Sequence, residues 1–97
     1  MSRRFLLHPA AEDEILTAFD WYLERSAIAA RAFLHESDLV VAEVVEAPER
    51  WPRHILGTRR RVFPRFPFSS IYRVTETELR IVAIAHHSRR PGYWRHR

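Results

Sequence analysis

The chain has 97 residues, with sixteen arginines, no lysine, twelve acids and a formal net charge of +4, a size that fits one domain spanning residues 1–97. The absence of cysteine excludes disulfides and thiolate metal sites, and no apolar run approaches the roughly 18 residues of a membrane span. The apolar stretch near the start is too short for a secretory signal, so the expectation is a cytoplasmic protein without a membrane role.

The first strand expected is Arg3 to Leu7, closed by His8-Pro9. Pro9 suits the first turn of a helix, where its missing N–H is not needed. That helix is predicted over Ala10 to Arg25, with Ala11, Ile15, Ala18, Phe19 and Tyr22 on one face. Glu12, Asp13 and Glu14 favour the positive end of its dipole. Ser26 is a good N-cap for a second helix, Ala27 to Ala47. One stripe of it reads Ala30, Phe33, Ser37, Val40 and Val44, and a second reads Leu34, Val41 and Val45. A helix apolar most of the way round is either buried on two sides or keeps one side for a partner.

Pro48 ends that helix, and residues 48–58 read as a loop. Strands are expected at Arg59 to Phe63 and Phe68 to Val74, with Pro64 and Pro67 marking a bulge or an edge between them. The final strand, Leu79 to Ala85, is apolar almost throughout, as a central strand buried on both faces would be. The order β-α-α-β-β-β defines an α+β fold, a helical hairpin packed on a small, mostly antiparallel sheet. The basic tail AHHSRRPGYWRHR follows. Its composition is that of a segment presenting cations and flat rings to an anionic partner, but Trp94 itself is expected to fold back on the sheet as a core lid, leaving Tyr93, Arg95 and Arg97 for contact.

Charge is divided along the chain. Residues 1–49 hold four arginines and ten acids, a net of −6; residues 50–97 hold twelve arginines and two acids, a net of +10. Arginine stays charged and pairs bidentately with carboxylate or phosphate, so the second half is expected to form a basic face for an acidic protein or a nucleic acid. In a strand, Arg59 and Arg61 share one side while Arg60 points to the other. A set of Arg59, Arg61, His86, His87 and Tyr93 has the chemistry of an endoribonuclease: histidine as acid or base, arginine on the phosphorus charge. No cofactor is expected. Adjacent histidines on a strand point apart and no carboxylate lies near them in sequence, so no metal site is expected either.

The helical hairpin, then Gly57-Thr58-Arg59, then FPFSSIYRV (Phe66 to Val74), then IVAIAHHSRRPGYWRHR (Ile81 to Arg97), resembles the RelE/ParE superfamily of bacterial toxins, the closing pattern resembling its ParE branch. The resemblance implies the toxin of a type II toxin–antitoxin system, covered by an acidic, partly disordered antitoxin in a hetero-oligomer. For the ParE branch it implies growth inhibition by binding and poisoning DNA gyrase, without hydrolysis. For the RelE branch it implies cleavage of mRNA on the ribosome, with Arg59, Arg61 and Arg73 as the strand arginines and Tyr93 as the tyrosine. A non-toxic binding relic is the third reading. The residues expected to bind the target are Arg59, Arg61, Arg73, Arg89, Arg90, Tyr93, Trp94 and Arg95. Those expected to bind the antitoxin are Phe33, Val41, Val45, Arg60 and Arg65. Deleting Pro91–Arg97 is expected to leave the fold intact.

Overall fold

The computed structural model describes residues 2–97. Strand β1 (Arg4–Leu7) leads into helices α1 (Pro9–Leu23) and α2 (Ala27–Glu46), followed by strands β2 (Arg53–His54), β3 (Thr58–Val62), β4 (Phe68–Val74) and β5 (Glu78–His86). The sheet order is β1-β5-β4-β3-β2, with β1 parallel to β5 and every other pair antiparallel. The α+β architecture expected from the sequence is the one observed.

Local signals place the helix starts. The His8 imidazole accepts the Ala10 N–H at 3.0 Å while Pro9 fills the first helical position. The Ser26 hydroxyl accepts the Ala29 N–H at 3.1 Å. Helix α1 ends two residues earlier than expected, because Arg25 turns back to donate to the Trp21 carbonyl at 2.7 Å and stacks its guanidinium 3.6 Å over the indole. Residues 48–58 are more ordered than a loop. Two 3₁₀ turns flank β2, which pairs Arg53 with Arg59 and His54 with Thr58. Two residues are too few to alternate visibly, so the sequence conceals this strand.

The prolines also act differently from the expectation. Pro64 and Pro67 lie in the β3–β4 connection, outside both strands. The irregularity sits deeper in the sheet: Ile71 pairs with Ala83 but Tyr72 pairs with Ile81, which leaves Val82 as an extra residue in β5. The shift lets Leu79, Ile81 and Ile84 face the helices while Val82, Ala83 and Ala85 face the other way. Both faces of β5 are therefore buried, as its apolar run implied.

The α2 stripe Ala30, Phe33, Ser37, Val40 and Val44 is buried against the sheet. Phe33 is 0% exposed and its ring lies 5.1–6.1 Å from those of Tyr22, Phe63, Phe66 and Phe68. This corrects its expected role in antitoxin binding, since a side chain with no surface offers none to a partner. Next to it, Glu36 is buried. Its carboxylate accepts the N–H groups of Arg65 and Phe66 at 3.0 and 3.1 Å and the Arg65 guanidinium at 3.2 Å, fixing the β3–β4 connection to α2. Burial alone would raise the Glu36 pKa; the two backbone donors and the Arg65 charge outweigh it and hold the carboxyl below its ordinary range.

Two predictions follow from this packing. Phe33→Ala opens a cavity in the aromatic cluster and lowers stability by about 3–5 kcal/mol, read as a fall in the urea midpoint. For Glu36 the folded pKa lies below the unfolded one, so its contribution is full above the unfolded value of 4.5 and is lost as pH falls through the folded value. Glu36→Ala costs roughly 3 kcal/mol at neutral pH and flattens this acid-side loss. Equal pH dependence in the two proteins would contradict the clamp.

Candidate interaction surface

The arginines of β3 separate by face, as their alternation required, but they do not all face solvent. Arg59 and Arg61 point to the helix side. Arg59 donates to the Trp51 carbonyl at 2.7 Å; Arg61 pairs with Glu43 of α2 at 3.2 Å and lies 4.2 Å over the Trp51 ring. They fasten the segment after α2 onto the sheet. Arg60 projects from the opposite face, away from α2. Arg73, on β4, reaches the carbonyls of Arg97 and Leu56 at 3.4 and 3.5 Å.

The tail is not a free arm. Trp94 is only 2% exposed and packs with Ile71, Val82, Ala83 and Ala85, closing the sheet face that the helices leave uncovered. Gly92, at φ +80°, lets the chain turn beneath Ile55 and Leu56, where a β-carbon would meet both side chains at 3.6 Å. The Tyr93 hydroxyl donates to Glu14, which also accepts the Arg97 guanidinium at 2.8 Å and the Ile84 N–H at 3.0 Å. Burial pushes the Tyr93 pKa far above the usual phenol range; its bond to Glu14 and that residue's charge add to the rise, and Arg97 and Arg89 oppose it. Tyr93 thus stays protonated and tied to Glu14, which removes it from the proton transfers expected of a nuclease tyrosine. The expectation that residues 91–97 can be deleted without harm to the fold is overturned: they are a wall of the core.

His86 and His87 diverge, as adjacent strand residues do. His86 sits edge-on to Phe68 with its Nδ1 2.7 Å from the Ser88 hydroxyl. His87 lies on the other side, its Nε2 2.9 Å from the Ser69 hydroxyl. Arg89, Arg90 and Arg95 remain exposed, the first with its guanidinium 3.9 Å over the Tyr93 ring. Among the described residues no three His, Asp or Glu side chains gather in a metal-binding arrangement. The proposed nuclease set is split over both sides of the sheet, and its tyrosine and two strand arginines are held by internal contacts.

Besides a hollow of about 460 Å³ where Glu49, Arg53 and Arg59 meet, two concave surfaces border the tail. A groove of about 740 Å³ runs between α1 and the free end of β5, lined by Thr17, Ala18, Trp21, Tyr22, Phe68 and Ile84 with Arg89 and Arg97 at its rim. A smaller cavity of about 190 Å³ lies on the tail side, lined by His54, Arg60, Ser69, His87 and Arg90 over Trp94. On α2, Leu39 and Val45 are about half exposed; of the second stripe that the sequence marked, Leu34 and Val41 are half-buried, Val41 against the core, and Val45 stands out to solvent. The roles of Glu14, Glu36, His54 and Ser69 escaped the sequence reading. Glu14 was legible in part, since it lies one helical turn before the buried Ala18.

A helical hairpin on a five-stranded sheet, sealed by a folded-back basic tail and bearing apolar and cationic surface, defines a small α+β binding domain of the toxin–antitoxin type. The chain belongs to the ParE toxin family: residues 5–91 match the model described as the ParE toxin of the type II toxin–antitoxin system parDE. Among solved structures, a chain from the chromosomal ParDE toxin–antitoxin system of P. aeruginosa shares the fold with a TM-score of 0.76 and 19% identity, over 87% of this chain and 95% of that one. Among curated proteins no sequence match is found.

The tail's position yields a stability prediction. Trp94→Ala lowers the unfolding free energy by about 3–5 kcal/mol, and removal of Pro91–Arg97 abolishes cooperative unfolding in urea. A truncated chain with an unchanged midpoint would return the tail to the role of a free arm.

Proposed function

We propose that this toxin-family chain inhibits bacterial growth in the cytoplasm by binding and poisoning DNA gyrase, and that a cognate acidic, partly disordered antitoxin neutralises it in a hetero-oligomer. The observation that carries the choice of gyrase over mRNA cleavage is the partly buried hydrogen bond from Tyr93 to Glu14. A ribonuclease of this design needs that tyrosine and the strand arginines at the scissile phosphate. Here Arg59 and Arg61 serve Trp51 and Glu43 instead.

A poison that acts by occupancy needs no general acid. It needs a rigid surface, and the exposed Arg89, Arg90 and Arg95 stand on a tail anchored by Trp94. Steering toward an acidic surface is what such a cluster does. Antitoxin contact falls to the opposite side: Val41 and Val45, with Leu39, offer the apolar anchors along α2 that a segment folding on binding requires, and the exposed head of Arg65 offers charge.

Pulse labelling after induction without antitoxin tests the target. Thymidine incorporation is expected to fall first, with methionine incorporation following. An immediate fall in methionine incorporation with thymidine sustained would assign the activity to translation and overturn the gyrase reading, and unimpaired growth would mark a relic. In a supercoiling assay, charge reversal at Arg90 and Arg95 to Glu weakens inhibition about tenfold or more, a loss of roughly 1.4 kcal/mol, while circular dichroism is unchanged.

A further inference from the structure

The tail-side cavity concentrates positive charge beyond what a flat protein contact through Arg89 and Arg90 uses. Three histidines and three arginines contribute to its lining, and no Asp or Glu does. Elsewhere acids meet arginines: Glu14 holds Arg97, Glu36 holds Arg65 and Glu43 holds Arg61, each within 3.2 Å. Arg60 and Arg90 have no carboxylate within salt-bridge distance among the described residues.

The cavity is also built. His87 is fixed twice, by its backbone N–H on the Pro67 carbonyl at 2.9 Å and by its ring Nε2 on the Ser69 hydroxyl at 2.9 Å. Ser69 is itself buried, and the floor is the buried Trp94, with the His54 ring 6.2 Å from the indole. His87 and the Trp94 floor are held in place before an anion arrives, whereas the exposed Arg60 and Arg90 are ordered on binding. Burial, and then the Arg60 charge, hold the His54 pKa below its ordinary range, as positive potential without a counterion would. The cavity is too small for a helix or strand of a partner but has room for one tetrahedral oxyanion.

We infer that this cavity binds a backbone phosphodiester of DNA, with Arg60 and Arg90 as the charge pair and His87, held by the buried Ser69, as a hydrogen-bonding partner. The choice of a phosphodiester over a carboxylate side chain rests on the donor set. Two guanidinium groups and an imidazole lining one cavity suit the several oxygens of a phosphate, whereas a carboxylate is satisfied by a single fork. With no open aromatic platform, Trp94 being buried, the contact reads backbone charge and not sequence. The inference concerns the toxin chain alone and does not require gyrase to be its target.

The experiment is fluorescence anisotropy of a labelled DNA duplex of arbitrary sequence with the full-length chain made by cell-free synthesis, without gyrase or antitoxin, across a salt series. Saturable binding is expected that weakens with salt. In Arg60→Gln/Arg90→Gln, affinity falls about a hundredfold, the product of two roughly tenfold losses, and the salt slope shrinks by roughly one or more. Arg31→Gln, exposed on α2 away from the cavity, binds as the parent does. Proton NMR of the His54 imidazole adds a local readout: duplex binding raises its pKa toward the ordinary value. Inorganic phosphate competes at high concentration, whereas an oligoglutamate peptide does not. Duplex affinity unchanged in the folded double variant, a His54 resonance indifferent to DNA, or displacement by oligoglutamate as effective as by unlabelled duplex would each overturn the assignment. Since gyrase is absent, failure here leaves the supercoiling result to stand or fall separately.

Discussion

The carboxylate of Glu14 is the contact on which the rest of the architecture depends. Strand β1 stops at Leu7 and covers β5 only as far as Ile81, so the far half of β5 would present a bare edge. Open edges invite further strands and are normally blocked. Glu14 takes the Ile84 N–H while Arg97 donates to the Val82 carbonyl at 3.2 Å, so both sides of that edge are satisfied by side chains. The same carboxylate holds Tyr93 and Arg97, and through them seats Trp94 on the second face of the sheet. One group thus joins the first helix, the central strand and the C-terminus, and its loss would strand several donors at once.

That arrangement explains the charge division along the chain better than a partner alone does. Acids of the first half meet arginines of the second across the fold: Glu14 with Arg97, Glu36 with Arg65 and Glu43 with Arg61; Glu49 with Arg3, at 3.7 Å, is a weaker exposed pair within the first half. Exposed pairs contribute little, but the first three involve at least one mostly buried side chain and also bind backbone or aromatic groups. The arginines left after this internal pairing, Arg60, Arg89, Arg90 and Arg95 among them, form the net positive surface. The excess that is free to meet a partner is therefore smaller and more localised than a count along the sequence implies.

Much of the fold was legible because its signals are periodic. The buried stripe of α2 repeats every three to four residues and the helices start where His8, Pro9 and Ser26 place them. The double burial of β5 shows in its unbroken apolar run, and the alternation of Arg59, Arg60 and Arg61 correctly separated their faces. Alternation cannot say which face meets the helices, and that is why Arg59 and Arg61 were expected at the surface. Strand β2 is too short to alternate, and the bulge at Val82 depends on pairing across strands. The tail was read in two parts: Trp94 was correctly expected to fold back as a lid, whereas the dependence of the core on the whole of Pro91–Arg97 was missed because four arginines pointed to a surface segment.

The double role of the tail limits how loss of toxicity can be interpreted. Arg89 and Arg90 stand at the surface, yet the backbone that carries them continues into Tyr93 and Trp94, whose burial closes the core. A chain of 97 residues has net stability of about 5–15 kcal/mol, so losing the Trp94 contact removes a large share of it. A truncated chain loses a wall of its core and a Trp94-substituted one a large share of its stability, so lost activity in either reports folding as well as recognition. Only substitutions that remove charge while sparing Trp94, Gly92 and the Glu14 contacts separate recognition from folding. The same coupling means that any partner covering α2 alone would stabilise the folded chain by mass action while leaving the tail seated.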